Sequence, residues 1–262
     1  MIHPTAIIES GASIAADVEI GPFCTVGAGV SIGSGTRLVS HVVICGTTTI
    51  GSGNTIYPFA SLGLPSPDLK YKGEPATLEV GDNNVIRESV TMHIGTGAGG
   101  GKTVVGNGNL LMPGTHVAHD CIVGNNTIIA NYVQLAGHVH IADNVTIGGL
   151  SGIHQYVRVG THAIIGGHTA VDHDVPPYAN VSGRRAALKG LNLVGLRRRG
   201  FEKTLIKELD VAYDTLFDET VDDLPLMERA KNLKRDSKSP EVTALADFVL
   251  NTQRGVTGYD DE

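Results

Sequence analysis

The stretch VAHDCIVGNNTIIANYVQLAGHVHIADNVTI, residues 117–147, carries an aliphatic side chain at every sixth position: Val117, Val123, Ile129, Leu135, Ile141 and Ile147. Neither an α-helix, with 3.6 residues per turn, nor a simple strand, with a period of two, explains a spacing of six. Hexapeptide repeats are typical of a parallel β-helix, in which three hexads form a triangular coil of about 18 residues. The stretch therefore predicts an all-β solenoid with inward-stacked aliphatics.

The same spacing covers residues 2–62, 80–92 and 105–171 and predicts about nine coils, ending near Pro176-Pro177. Two interruptions, Gly63 to Glu79 and Gly95 to Thr103, are expected to form loops on one face, often the binding face of a solenoid. Glycine often follows the aliphatic and suits a corner with positive φ. These glycines are Gly21, Gly27, Gly33, Gly51, Gly81, Gly106, Gly124, Gly148, Gly160 and Gly166.

The remainder of the chain loses the hexad and becomes helical in pattern. Apolar residues between Leu205 and Phe217 follow i, i+4 spacing, and Ser239-Pro240 predicts an N-cap with a helix continuing to about Leu250. We therefore predict a β-helix domain over residues 1–184 and a C-terminal α-helical domain over residues 185–262. A helical cluster of this kind can cap the open end of a solenoid.

Charge is distributed unevenly along the chain. The net charge is −7, yet Arg184 to Lys207 holds eight basic residues against the single acid Glu202. This basic segment predicts a docking surface for a phosphorylated ligand or an acidic protein, and a solvated face is the alternative. Nucleic acid is disfavoured, because the rest of the surface would repel it.

The composition also bears on the compartment. Three cysteines at scattered positions argue against a disulfide framework and for a reducing, cytoplasmic location. No stretch approaches the roughly 20 apolar residues of a membrane span. The N-terminus lacks the basic and apolar regions of a signal peptide.

The glycine-rich run from Gly95 to Thr103 resembles a phosphate-binding loop only superficially. The pattern G-x-x-x-x-G-K-[ST] would require glycine at position 96, where Thr96 stands. A returning hexad follows the run, whereas a phosphate site needs a helix N-terminus there. The sequence therefore argues against a nucleoside triphosphate site.

Histidines concentrate between residues 116 and 173. Because residues 18 apart stack, Asp120, His138 and Tyr156 should form one column, and His119, Gly137, Gln155 and His173 the adjoining one. His119 would then lie beside a carboxylate and a residue with no side chain, as a general base requires. The alternative is that histidine is common at the polar corners of a solenoid and has no functional role there.

Two other chemistries are conceivable for this cluster. Three histidines could bind zinc, as in the γ-class carbonic anhydrases, which share the solenoid, but the helical tail and the first loop have no use there. Cys121 could suggest a nucleophile, but adjacent strand side chains point to opposite faces, and it is expected to be buried.

The run Asn109-Leu110-Leu111-Met112 followed by His116-Val117-Ala118-His119-Asp120-Cys121 resembles the active-site region of the UDP-N-acetylglucosamine acyltransferases, which catalyse the first step of lipid A synthesis. The resemblance covers nearly the whole chain. It includes residues 3–6, 20–23, 68–71, 86–91, 135–138, 174–178 and 195–201. It implies a left-handed parallel β-helix and a homotrimer with its sites in the clefts between subunits.

The resemblance also implies an activity and assigns roles. His119 would deprotonate the glucosamine 3-hydroxyl, Asp120 would support it, and the Gly137 N–H would stabilise the oxyanion on the thioester carbonyl. The donor would be a 3-hydroxyacyl group on acyl carrier protein, and no metal or other cofactor is expected. Family positions that contact the sugar nucleotide or the donor match Asp68, Lys70, His93, His116, His138, His154, Gln155, Asn192, Arg198 and Arg199.

Gly167 matches the family position where the acyl chain ends, and glycine there implies a long donor of the 3-hydroxymyristoyl or 3-hydroxylauroyl class. Pro67 and Val194 depart from better-known family members, which leaves individual uridine or ribose contacts open. The acceptor position, 3-hydroxyl or 3-amino, is also open.

Two alternatives are open, one enzymatic and one non-enzymatic. The N-acyltransferase two steps later in the pathway carries a further N-terminal domain, whereas here the hexads begin at Ile2. A non-catalytic β-helix scaffold would have no reason to gather His116, His119, Asp120 and His138.

Overall fold

The fold is a three-sided parallel β-helix followed by four helices, and the computed structural model describes residues 1–218, 220 and 223–259. Up to β25, strands recur in strict rotation around three sheets, so a strand pairs with the strands three places before and after it in the chain. The predicted 18-residue stacking is present, because Val117 pairs with Leu135 and Leu135 pairs with Ile153. The hexad prediction is therefore confirmed.

Three sheets form the sides of the prism in the part of the chain that the structure describes. The first contains β1 Ile7–Ile8, β4 Thr25–Val26, β7 Val43–Ile44, β10 Ser61–Leu64, β13 Thr91–His93, β16 His116–Val117, β19 Gln134–Leu135, β22 Gly152–Ile153 and β25 Ala170–Val171. The second contains β2 Ser13–Ile14, β5 Val30–Ile32, β8 Thr47–Ile50, β11 Thr77–Val80, β14 Lys102–Val105, β17 Ile122–Val123, β20 His140–Ile141 and β23 Arg158–Val159. The third contains β3 Glu19–Ile20, β6 Arg37–Leu38, β9 Thr55–Ile56, β12 Val85–Ile86, β15 Leu110–Leu111, β18 Ile128–Ile129, β21 Thr146–Ile147, β24 Ile164–Ile165, β26 Ala179–Ser182 and β27 Ala187–Leu191.

The core is the stack of inward-facing aliphatics along the prism. Ile44, Leu62, Met92, Val117 and Leu135 are fully buried. Burial of one such side chain contributes about 1.5–3 kcal/mol to folding, so the repeated column supplies most of the drive for coil stacking.

We name the prism corners by the sheets they join. The first corner lies between the first and second sheets, the second corner between the second and third, and the third corner between the third and first. Both predicted loops leave the prism at the first corner, since one joins β10 to β11 and the other joins β13 to β14. The expectation that the insertions share a face is confirmed, although the strands shorten the first loop to residues 65–76 and place the second at residues 94–101.

The glycines that follow the aliphatics do not adopt the positive φ that we expected. Positive φ occurs two residues later, for example at Phe23, Asn83 and His162. Gly21 illustrates the actual reason for glycine, since a Cβ there would clash with the Val39 carbonyl of the next coil. Close approach of neighbouring coils therefore selects glycine at these positions.

The solenoid continues beyond Pro176-Pro177, where we expected it to end. β26 pairs in parallel with β24, and β27 returns antiparallel to β26. The prolines occupy a turn, where Pro177 packs on Gly160 and no ladder N–H is required. The domain boundary at residue 184 stays a prediction.

The helices cover one end of the solenoid. They are α1 Leu193–Arg198, α2 Lys203–Phe217, α3 Leu226–Asp236 and α4 Pro240–Leu250. The helix over the Leu205 to Phe217 pattern and the helix beginning at Pro240 are confirmed, although Ser239 makes no side-chain capping bond. Arg158 ties α4 to the prism, because its guanidinium pairs with buried Asp174 at 2.8 Å and donates to the Phe248 carbonyl. No helix in the described residues is long and apolar enough to span a membrane.

Candidate active site

The predicted histidine–carboxylate pair forms at the first corner. His119 and Asp120 lie in the turn between β16 and β17, and His119 Nδ1 is 2.8 Å from Asp120 Oδ2. Asp120 adopts φ 59°, which turns its carboxylate back under the imidazole of its neighbour. An ionised carboxylate only accepts hydrogen bonds, so this contact places the proton on Nδ1 and leaves the Nε2 lone pair available.

Gly137 lies against the imidazole, as the 18-residue stacking predicted. A Cβ at Gly137 would be 2.5 Å from His119 Cε1 and 2.6 Å from Nε2, distances that no side chain tolerates. The Gly137 carbonyl accepts a hydrogen bond from the Tyr156 N–H. The Gly137 N–H has no acceptor among the described residues. Glycine at this position therefore makes room for the imidazole itself and leaves a free N–H donor beside it.

His138 completes the column next to the pair. Its ring stacks on Tyr156 with centroids 4.4 Å apart and meets the His119 ring edge-on, and its Nε2 is 3.9 Å from Asp120 Oδ2. Burial lowers the pKa of His138, and the carboxylate of Asp120 opposes that shift. A neutral His138 at pH 7 can accept or donate a hydrogen bond to a ligand.

The first loop brings Asp68 to the same corner. Asp68 Oδ2 lies 4.0 Å from His119 Nε2, so the basic nitrogen faces the loop and not the core. Lys70 is exposed on the loop, and its backbone N–H donates to Asp68 Oδ1. A polar group of a ligand that enters between Nε2 and Asp68 could contact both side chains.

His93 and His116 form a second pair beside this cluster, with ring centroids 5.1 Å apart. Burial, with smaller contributions from His116 and His119, lowers the pKa of His93 to about 4, and burial also lowers the pKa of His116. His93 Nδ1 is buried and has no hydrogen-bond partner among the described residues. An unpaired buried nitrogen at this place is consistent with a ligand contact.

His154 and Gln155 lie one coil beyond Ala136 and Gly137, and both are exposed. His116 and His154 line a depression of about 470 Å³ on the first sheet, together with Leu135, Ala136, Gly152 and Ala170. The small side chains leave an open path from the first corner across this sheet toward the third corner, where the exposed Gly167 lies.

Asn192, Arg198 and Arg199 lie away from the His119 cluster in one copy of the chain. Asn192 is the N-cap of α1, where its Oδ1 accepts from the Gly195 N–H and its Nδ2 donates to the His162 carbonyl at the second corner. Both arginines are exposed at the end of α1. Nothing in the described residues joins them to His119 within a single chain.

Two residues that contact Asp120 were not predicted from the sequence. Thr96 donates to Asp120 Oδ1 from its N–H at 2.9 Å and to Oδ2 from its hydroxyl at 2.7 Å. Thr103 Oγ1 accepts from the Asp120 N–H at 2.8 Å. Both belong to the glycine-rich run, and no sequence pattern paired either threonine with Asp120.

The zinc and nucleophile alternatives can be compared with this geometry. Ligand atoms of His119, Asp120 and His138 lie within 4.8 Å of one another, a spacing that a metal ion can bridge. The set has two histidines and a carboxylate, not the three histidines that the zinc alternative assumed. Cys121 is buried as expected, and burial raises the pKa of its thiol to about 12, which disfavours a nucleophilic thiolate.

Comparison with known proteins identifies the family. The bacterial transferase hexapeptide (six repeats) model matches residues 102–137, and the UDP N-acetylglucosamine O-acyltransferase domain 2 model matches residues 174–257. An acyl-[acyl-carrier-protein]–UDP-N-acetylglucosamine O-acyltransferase of Thermodesulfovibrio yellowstonii is 48% identical over 97% of this chain and 98% of its own length. The chain belongs to the UDP-N-acetylglucosamine O-acyltransferase family. The resemblance stated from sequence and the acyltransferase class are confirmed.

Solved structures of the UDP-N-acetylglucosamine O-acyltransferase family agree with this assignment. LpxA from Acinetobacter baumannii has a TM-score of 0.94 and 46% identity, covering 98% of this chain and 99% of that one. UDP-N-acetylglucosamine O-acyltransferase (LpxA) from Moraxella catarrhalis has a TM-score of 0.92 and 44% identity over the same shares. The predicted left-handed β-helix with a helical C-terminal domain is thereby confirmed.

Proposed function

We propose that this chain transfers a 3-hydroxyacyl group from acyl carrier protein to the glucosamine 3-position of UDP-N-acetylglucosamine, the first step of lipid A synthesis, with His119 as general base. The observation that carries this proposal is the His119 imidazole, which Asp120 holds through Nδ1 at 2.8 Å while Nε2 points toward Asp68 of the first loop, 4.0 Å away. A positioned imidazole with a free Nε2 is the arrangement that general-base catalysis needs.

The proposed reaction follows from this geometry. His119 Nε2 takes the proton of the 3-hydroxyl as its oxygen attacks the thioester carbonyl, and the Gly137 N–H donates to the oxyanion that forms. When the tetrahedral adduct collapses, the C–S bond breaks and the carrier thiolate takes the proton from His119. A thioester is already activated, so neither a metal nor another cofactor is needed.

The proposed substrate contacts differ in how much structural support they have. Asp68, His93 and His138 adjoin His119, which supports their assignment to the sugar nucleotide, and His116 and His154 line the open path on the first sheet. Lys70 and Gln155 are exposed near this corner. Asn192, Arg198 and Arg199 would reach a ligand only if a second chain brings its second corner to this site.

Acceptor choice provides the experiment that tests the proposal. The purified protein is given one 3-hydroxyacyl carrier protein with either UDP-N-acetylglucosamine or its 3-amino analogue, and products are identified by mass. We expect transfer to the 3-hydroxyl acceptor and an unchanged rate in EDTA. Transfer to the 3-amino sugar alone would reassign the acceptor. Loss of activity on chelation with recovery on adding Zn²⁺ would favour the zinc alternative.

A homotrimer is expected in solution. Four apolar side chains at the third corner, Phe23, Phe59, Tyr132 and Leu150, are each 55–61% exposed and lie in one column. Partner copies that bury such a column would also supply the missing second wall of the site. Sedimentation at micromolar concentration should give three times the mass of one chain, and Tyr132→Glu should weaken assembly. A monomeric wild type would contradict the proposal.

The basic segment is proposed to dock acyl carrier protein, an acidic partner, in the cytoplasm. Arg184, Arg185 and Arg197 are exposed, as docking requires. Because charges beyond about 8 Å are screened at physiological salt, KM for carrier protein should rise with ionic strength. Arg197→Glu should raise that KM about tenfold and leave KM for the sugar nucleotide unchanged, whereas Lys238→Glu in the α3–α4 connection should change neither. A flat salt profile would favour a merely solvated face.

Gly167 is proposed to set the length of the acyl chain. A Cβ at this exposed position would lie 3.2 Å from the Gly149 carbonyl oxygen and at ordinary contact distance from the Gly149 nitrogen, so a longer side chain can be added with a small shift. Wild type should prefer 3-hydroxymyristoyl or 3-hydroxylauroyl over 3-hydroxydecanoyl donors. Each buried methylene contributes about 0.8 kcal/mol, so Gly167→Met should reverse the preference by up to about 100-fold while still transferring the short donor. An unchanged preference would show that another residue limits the chain.

A further inference from the structure

Thr96 holds both oxygens of the Asp120 carboxylate. Its N–H donates to Oδ1 at 2.9 Å and its hydroxyl donates to Oδ2 at 2.7 Å. Oδ2 is the same oxygen that accepts from His119 Nδ1 at 2.8 Å. The Asp120 side chain is inaccessible to solvent, so water does not compete for these positions.

The glycine-rich run is shaped to cover this carboxylate. Gly99 lies directly against it, and a Cβ at Gly99 would clash with the carboxylate atoms. The turn is closed by the N–H groups of Gly99 and Gly101, which donate to the Thr96 carbonyl at 3.0 and 2.9 Å. Gly100 and Gly101 have φ 97° and 79°, which favour glycine.

A further contact fixes the turn that carries Asp120 itself. The Asp120 N–H donates to Thr103 Oγ1 at 2.8 Å, at the other end of the glycine-rich run. The first loop is joined to the same run, because Glu74 Oε1 accepts from the Gly97 N–H at 3.1 Å. The run that resembles a phosphate-binding loop therefore encloses the carboxylate of its own chain.

We propose that Thr96 is a positioning residue for the His119–Asp120 pair, an inference that rests on the proposed function. With both donors in place, the carboxylate has one orientation, and Oδ2 presents a fixed acceptor to His119 Nδ1. Without the hydroxyl, a buried charged oxygen loses a donor and the carboxylate can rotate away from the imidazole. The base then spends less time in the reactive geometry.

The variants Thr96→Val and Thr96→Ser test this proposal. Thr96→Val keeps the size of the side chain but removes the hydroxyl, and kcat should fall about 10- to 100-fold with both KM values within about twofold of wild type. Thr96→Ser restores the hydroxyl and should return kcat to within about threefold of wild type. Thr96→Val with kcat within twofold of wild type would overturn the proposal.

The Asp120→Ala background separates positioning from a general loss of stability. If Thr96 acts only through Asp120, Thr96→Val should change the residual rate of Asp120→Ala less than about twofold. An equal fold-loss in both backgrounds would overturn the proposal. Gly99→Ala is a second variant for the case that Thr96→Val does not fold. It should lower kcat in wild type and not in Asp120→Ala, where the alanine leaves room for the added methyl group.

A spectroscopic readout keeps the result independent of turnover. In protein labelled with ¹⁵N-histidine, the His119 Nδ1 proton should give a downfield signal that persists in Thr96→Ser and is lost in Thr96→Val. If wild type transfers no acyl group, the proposed function fails, and this signal still decides the role of Thr96. A signal unchanged in Thr96→Val would overturn the positioning role even if the transfer activity is present.

Discussion

Replacing His119 by alanine is expected to lower kcat for acyl transfer by about 10²- to 10⁴-fold. The reason is that His119 Nε2 is the basic atom facing the open side of the cluster, with its other nitrogen held by Asp120 at 2.8 Å. Loss of the base should leave substrate positioning and the Gly137 donor intact, so both KM values should change little. The rate is measured as thiol release from the 3-hydroxyacyl carrier protein.

His138→Ala is the matched control for this substitution. It removes an imidazole from the same corner. Unlike His119, His138 is not hydrogen-bonded to Asp120, because its Nε2 lies 3.9 Å from Asp120 Oδ2, and its ring stacks on Tyr156. We expect a smaller loss of kcat than for His119→Ala. Both variants should keep the wild-type mass in sedimentation and a similar melting temperature. A folded His119→Ala with kcat within a few-fold of wild type would move the base elsewhere.

Gly137→Ala is expected to lower kcat by about 100-fold or more through one added methyl group. That methyl would lie 2.5 Å from His119 Cε1, so the imidazole must move by more than a few tenths of an ångström. Misplacement of a reacting group by about 1 Å can cost about 100-fold in rate. The measurement is kcat together with the orientation of the His119 ring in a crystal structure of the variant.

Gly258→Ala serves as the control for Gly137→Ala. A Cβ at Gly258 meets no atom of the described residues within 4 Å, so the same chemical change should leave kcat and melting temperature close to wild type. If Gly137→Ala retains wild-type kcat with an unmoved imidazole, the close packing of Gly137 against His119 has no role in catalysis.

The fold was accessible from sequence because its signal is periodic. One aliphatic in six residues determines which side chains stack, and the 18-residue coil then places Asp120 beside His138 and Gly137 beside His119. The same reasoning gave the wrong cause for the glycines that follow the aliphatics. A repeat shows where glycine recurs, but it does not show why glycine is required there. At Gly21 that cause is the next coil and not a positive φ.

Contacts across the insertions were not accessible in the same way. Thr96 lies 24 positions before Asp120 in a loop outside the hexad register, so no periodicity pairs the two. Asn192 and Arg198 were assigned through family resemblance, and the single chain places Asn192 at the second corner and Arg198 at the exposed end of α1. Where a site is formed by residues from two copies of a chain, the sequence pattern of one copy does not predict how close those residues lie in the assembly.

The claim that acyl transfer occurs on the glucosamine 3-hydroxyl is tested most directly by the structure of the product. Wild-type protein and His119→Ala are incubated in parallel with a 3-hydroxymyristoyl carrier protein and UDP-N-acetylglucosamine, and the acylated carbon is identified by two-dimensional NMR. We expect a single product of the wild type, esterified at the glucosamine 3-oxygen, and only a trace of it with His119→Ala. Absence of transfer by the wild type, or esterification at another hydroxyl, would contradict the proposed function.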